Sequence, residues 1–289
     1  MKNQHLRHLI ELNLATLFIS TSGALGKYIE MPTPVIIWWR CFLAAIFLYV
    51  FCKYRKTSLK IQTKKDVAPF VISSLFLGAH WITYFYSLKL SNVAIGMLSL
   101  FTFPIITAIL EPFFVKVRFD RMHIVLGLIV LLGIYILAPE FSIESDHVKG
   151  ILLGILSAIC YSIRTLILKR HVATYNGTIL MFYQVLILTV VLLPTLYFMG
   201  SSGIKTQYPY VLLLALLTTA IGHTLFIGSL RYFKVSTASI IGSIQPIYGI
   251  IIAFFFLGEI PTWNTFFGGL LIISTVIIES IRSERKSIP

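Results

Sequence analysis

Five side chains that can carry charge stand inside long apolar runs: Arg40, His80, Glu111, Arg164 and His223. An ionised group within a bilayer costs ~2.5 to 3.5 kcal/mol even on insertion scales, so each needs a partner, water or a task. Arg40, in Ile36-Ile37-Trp38-Trp39-Arg40-Cys41, sits about 9 Å from the outer end of its run at 1.5 Å per helical residue. Two readings stay open for it. It snorkels outward past Trp38 and Trp39, or it points inward and grips a carboxylate with paired hydrogen bonds. Arg164 lies just before Lys169, and snorkelling to the near surface is expected. Glu111 is expected to pair with Arg118 or Arg121, with uptake of a proton as the alternative. His80 and His223 lie deeper, and an imidazole changes charge near neutral pH. Each is either hydrogen-bonded in place or a proton carrier, so His80, His223 and Glu111 are the candidates for proton coupling.

Other chemistries leave no trace. The sequence has no HExxH, no paired carboxylates, no Walker-type glycine loop and no nucleophile elbow. Hydrolysis and ATP-driven pumping are not expected, and neither catalytic residues nor a metal or cofactor is assigned. Cys41, Cys52 and Cys160 stand singly in apolar runs and read as small core residues.

The elements that position these groups follow from composition. With 57% hydrophobic and 12% charged residues, the chain cannot cover a soluble globule with polar surface, so it belongs in a membrane. Ten apolar runs are long enough to span: about 9–28, 33–53, 67–88, 92–115, 121–138, 149–168, 177–199, 208–229, 236–257 and 263–281. The first carries Lys2 and Arg7 ahead of it but also Asn13, Thr16, Ser20 and Ser22, and it reads as a span, not a cleaved signal. Lys and Arg crowd alternate loops, in Lys53–Lys65, Lys169-Arg170, Arg231–Lys234 and Arg282–Lys286, which places both termini in the cytoplasm. The net charge of +13 thus reports topology and attraction to anionic headgroups, not a nucleic-acid surface.

The chain also repeats. Ser87-Leu88-Lys89 and Pro104 return as Ser229-Leu230-Arg231 and Pro246 after 142 residues, and Lys27, Val93 and Gly127 return as Lys169, Val235 and Gly269 at the same distance. Residues 1–147 and 148–289 are read as two five-span copies. An odd number of spans forces the second copy into the membrane in the opposite sense. The expected fold is an all-α membrane protein of ten transmembrane helices in two inverted five-helix repeats. Pro104 and Pro246 are expected to kink their spans, either as packing features or as parts of a gate. Polar stripes at helical spacing mark Asn13, Thr16, Ser20, Gly23 and Lys27; His80, Tyr84 and Ser87; Ser157, Tyr161 and Arg164; and Ser236, Ser239 and Ser243. Gly127, Gly133, Gly268 and Gly269 read as close-packing positions.

Trp38-Trp39-Arg40, Tyr84-Phe85-Tyr86-Ser87-Leu88-Lys89 with Pro104, Ser229-Leu230-Arg231 with Ser239, Gln245-Pro246, and Leu257-Gly258-Glu259 before Gly268-Gly269 resemble the drug/metabolite transporter superfamily, in its EamA-type ten-helix members. In the first copy Lys116-Val117 stands where Gly258-Glu259 does. The resemblance covers nearly the whole chain. It implies a central cavity between the first, third, fourth, sixth, eighth and ninth helices of an inner-membrane protein, and export or exchange of small metabolites without ATP.

The expected function is a secondary carrier of a small zwitterionic or anionic metabolite, an amino acid or related carboxylate, moved outward by alternating access. Arg40, His80, Tyr84, Ser99, Pro104, Tyr161, Ser239, Gln245 and Pro246 are the expected substrate-facing residues. A multidrug or organic-cation exporter is the alternative within transport, and it requires a carboxylate facing the cavity. A membrane-embedded lipid-modifying enzyme is the alternative outside it. Partners are the small substrate and the bilayer, with no nucleic acid, in a monomer or homodimer.

Overall fold

Backbone in lipid must satisfy its own hydrogen bonds, and a helix does so within one segment. The computed structural model describes residues 2–114, 121–137, 145–201, 203–233, 242 and 244–285, and has no strand among them. Its first half runs α1 (Lys2–Tyr28), α2 (Thr33–Tyr54), a 3-10 turn (Lys64–Asp66), α3 (Val67–Leu90), α4 (Val93–Leu100), α5 (Phe103–Phe114) and α6 (Met122–Leu137). The second runs α7 (Asp146–Lys169), α8 (Gly177–Val191), α9 (Leu193–Met199), α10 (Ile204–Leu213), a π-helical segment (Leu214–His223), α11 (Thr224–Ser229), α12 (Gln245–Leu257) and α13 (Trp263–Arg285). Among the described residues, seven helical stretches are long and apolar enough to cross a membrane, and three apolar helices, at 124–136, 245–257 and 263–278, are shorter. The chain is an all-α, multi-pass membrane protein.

Helix ends follow local chemistry. Asn92 and Asn176 cap α4 and α8, their side-chain oxygens accepting from the N–H of Ile95 and Ile179 at 2.9 Å each. Helix α12 stops at Gly258, whose φ of +70° is a left-handed conformation that suits glycine.

Pro104 and Pro246 both stand in the first turn of a helix. Phe101 and Thr102 form a turn after α4, and Pro104 is the second residue of α5, as Pro246 is of α12. A residue without an N–H fits the first turn, where that donor has no partner anyway.

The most extensive helix pair is α3 against α7, followed by α6 against α13, α1 against the π segment and α12, and α2 against α8. Glycines set the closest crossings. A Cβ on Gly154 of α7 would lie 2.5 Å from Ser99 Cβ, and one on Gly133 of α6 would lie 2.9 Å from Ile272 and 3.0 Å from the Gly268 carbonyl. Gly133 therefore packs as its sequence suggests, whereas a Cβ on Gly127 would meet nothing within 4 Å. Across the halves, Glu259 accepts the Val93 N–H at 2.8 Å, while within the first half Lys27 donates to the carbonyls of Ser91 and Lys89 at 2.8 and 3.1 Å. Near the opposite ends, Tyr175 donates to Asp66 at 2.6 Å and accepts from the Gln62 N–H at 2.8 Å. Burial, and with it the bond to Asp66, pushes the Tyr175 phenol above its usual value.

Candidate substrate site

Seven residues into α2, Arg40 is fully buried, so it points inward and does not snorkel. Its Nε donates to Thr219 Oγ1 at 2.5 Å and its Nη2 to Thr218 Oγ1 at 3.0 Å. Both threonines lie on the π segment. Wider turns of this kind shift side chains out of α register and recur at functional sites; here two adjacent hydroxyls reach one guanidinium. The Arg40 carbon Cζ stands 3.9 Å from the centroid of the Trp81 ring, on α3, and 5.8 Å from that of Phe85. An indole face so placed stabilises a cation that lipid would penalise. The third nitrogen, Nη1, is buried and has no hydrogen-bond partner.

Arg164 corrects the sequence reading. It does not snorkel: it is 1% exposed. Its Nη2 and Nε donate to Gln184 Oε1 on α8 at 2.7 and 3.2 Å, and Gln184 in turn donates to Ser73 of α3 at 3.1 Å. Cζ of Arg164 lies 5.6 Å from the Tyr161 ring. Among the described residues no acidic side chain bonds either arginine.

His80 and His223 are buried in the same region, through the Tyr161 ring that neighbours Arg164 and the Trp81 ring that neighbours Arg40. His80 Nδ1 is 2.7 Å from Ser157 Oγ of α7, and that hydroxyl lies 2.9 Å from the His80 carbonyl, so α3 and α7 are bonded to each other at this level. The His80 ring centroid is 4.8 Å from that of Tyr161 and 6.2 Å from that of Tyr84, and Phe103 sits edge-on to Tyr161 at 4.9 Å. His223 ends the π segment, 5.4 Å from the Trp81 ring, with its Nδ1 buried and unpartnered. The structure thus brings Arg40, His80, Tyr84, Tyr161 and His223 into one buried, cationic and aromatic centre.

Others lie beside or away from it. Ser99 is fully buried where α4 crosses α7, with a hydroxyl that has no partner. Pro104 opens the helix that packs on α7, while Gln245 and Pro246 open α12, whose main neighbours are α1 and α4. Glu111 is partly exposed and paired with Lys169 at 3.0 Å, not with Arg121 as expected; Arg118 lies outside the described residues. Ser239 also lies outside them. Sequence reasoning missed Thr218, Thr219, Trp81 and Gln184. Their only signal was a polar or indole group inside an apolar run, as in Leu216-Leu217-Thr218-Thr219-Ala220. No cluster of metal-binding side chains occurs among the described residues.

A helical membrane bundle enclosing a polar, cationic centre is the architecture of a small-molecule transporter. The model of the EamA-like transporter family matches residues 9–138 and again 148–281, and the chain belongs to that family. Similar proteins include an uncharacterized transporter, YxxF, of Bacillus subtilis, 23% identical over 96% of this chain and 91% of that one. The pseudopaline exporter CntI of Pseudomonas aeruginosa is 23% identical over 91% and 92% of the two chains. Solute carrier family 35 member G1 of Mus musculus is 22% identical over 84% and 69%. A solved crystal structure superposes with a TM-score of 0.71 at 16% identity, covering 97% of this chain and 99% of the other, and shows the fold alone.

Proposed function

We propose that the protein is a secondary transporter that exports small carboxylate-bearing metabolites, amino acids or related compounds, across the cytoplasmic membrane by alternating access, with no enzymatic step of its own. The observation that carries this reading is the pair of fully buried guanidiniums, one with an unfilled donor nitrogen, that no acid among the described residues balances. Leaving such charge unpaired is costly, and an anionic ligand that enters and leaves would supply the missing partner in part of each cycle. A cation exporter would need a carboxylate at this centre, and Glu111 is engaged with Lys169 instead.

The alternating step rests on the repeat. Helix α3 lies on α7 as the continuous helix from α10 to α11 lies on α1, and α5 lies on α7 as α12 lies on α1. Likewise α3 meets α8 as the π segment meets α2, and α2–α8 and α6–α13 are pairs of positions that the 142-residue spacing makes equivalent. Trp81 and His223 also stand 142 apart, and their rings face each other across the centre. These pairings support two copies, 1–147 and 148–289, related by an axis through that ring contact. Five spans in each copy would invert the second and leave both termini cytoplasmic, in keeping with the loop charges. A relative named as an exporter supports outward movement.

The test is a screen of labelled metabolites in proteoliposomes, with and without a proton gradient. Exchange of a carboxylate against its own trans gradient is expected. Movement of organic cations alone, lost in Glu111→Gln, would replace this reading with the cation exporter.

A further inference from the structure

Outside the buried centre, a long apolar trough runs along the flank of the bundle between α2 and the helix containing the π segment. Its volume is about 610 Å³, and its walls include Phe47, Val50, Phe51, Leu216, Ile221 and Leu225. Val50, Phe51 and Leu216 are exposed, so the trough opens sideways toward lipid. From Phe47 to Tyr54 it follows α2 for about 10 Å, roughly two-thirds of the ~15 Å hydrocarbon depth of one leaflet.

At its end the trough runs into a second cavity of about 310 Å³, which shares Phe51, Thr178, Thr224 and Leu225 with it. The chemistry changes there. His8, Glu11, Arg55, Asn176, Arg231 and Tyr232 line this pocket. Neither the Arg55 nor the Arg231 guanidinium has a hydrogen bond or ion pair with another described residue. Glu11 is held by Arg7 at 2.9 Å and His8 at 3.2 Å, which offsets its charge, and the His8 ring stacks on Tyr232 at 3.8 Å. The Thr224 hydroxyl, between the two cavities, is buried with no partner.

We propose that this pair of cavities binds an anionic phospholipid, its acyl chain in the trough and its phosphate between Arg55 and Arg231. An apolar slot at membrane depth that opens into two guanidiniums that no described residue engages is complementary to an amphipathic anion. A soluble phosphate would leave the trough unfilled, and a protein partner would have no use for the charges at its end. The site depends neither on the transported substrate nor on its direction. Its floor is the outer face of the π segment, whose inner face holds Arg40, so an occupied trough would brace the threonines of the centre.

The test is native mass spectrometry of the purified full chain, titrated with dioleoylphosphatidylglycerol or dioleoylphosphatidylcholine. One phosphatidylglycerol is expected to be retained in preference to phosphatidylcholine. Arg55→Gln with Arg231→Gln should weaken that retention by about 10-fold or more. Val50→Trp, which fills the trough and leaves the charges, should weaken both lipids, and should the double variant not fold, it decides the matter alone. Equal retention of the two lipids by the wild type would overturn the proposal, as would a folded double variant or a Val50→Trp protein that binds phosphatidylglycerol normally. Displacement by excess inorganic phosphate would assign the pocket to free anion, and a dimer that excludes lipid from the trough would assign the face to a second copy; either also overturns it.

Discussion

Arg40 donates through Nε and Nη2 to two threonines and leaves Nη1 unbonded in a buried space. That asymmetry is the ground for proposing a binding role, because a structural arginine in lipid would be expected to have all its donors filled. Replacing Thr218 and Thr219 by valine keeps their shape and removes the oxygens that orient the guanidinium. Carboxylate uptake by the double variant is expected to fall at least ~10-fold with the protein still inserted, since a buried charged hydrogen bond contributes about 1.5 to 3 kcal/mol. A transport assay normalised to membrane-extracted protein checks it, and undiminished uptake would mean that the threonines do not set the arginine's position. Arg40 stands out in the sequence as a charge inside an apolar run, but its direction is not legible there. The residues that fix that direction are 178 and 179 positions away, and no local pattern ties them to it. Arg164 shows the complementary failure: counting residues from the helix end gives depth, whereas facing is set by Gln184 on another helix.

At the scale of elements, the apolar runs and their polar breaks were readable because lipid imposes a strict length and polarity rule. The π segment was not. Leu214-Ala215-Leu216-Leu217-Thr218-Thr219-Ala220 has the composition of an ordinary apolar helix, and its wider turn comes with tertiary contacts to α1 and α2. The repeat spacing singled out both prolines, and the turn at Phe101-Thr102, set by tertiary packing, makes Pro104 an opening residue of α5. The crossing of α4 and α7 yields a second prediction. Gly154→Ala places a Cβ 2.5 Å from Ser99 Cβ, and forcing the helices apart should cost about 1 to 3 kcal/mol. Its thermal unfolding midpoint in detergent should drop by several degrees; an unchanged midpoint would show that the crossing yields freely.

For the whole molecule, the family match, the 142-residue spacing and the recurring helix pairs are what support the proposed duplicated bundle around the Trp81–His223 contact. If five spans make up each copy, the two tails share a side of the membrane. Cysteines introduced singly at each terminus should then react with an impermeant maleimide only after the cytoplasmic face is opened, and opposite labelling of the two tails would break the inverted arrangement. On the proposed mechanism a buried guanidinium pair, with no acid bonded to it among the described residues, receives a travelling carboxylate, and substrate counterflow in proteoliposomes reads that step. Wild-type protein should accumulate labelled carboxylate metabolite against an unlabelled trans pool, and Arg40→Gln, folded and reconstituted equally, should lose that accumulation by at least ~10-fold. Counterflow by Arg40→Gln at the wild-type rate would contradict the account.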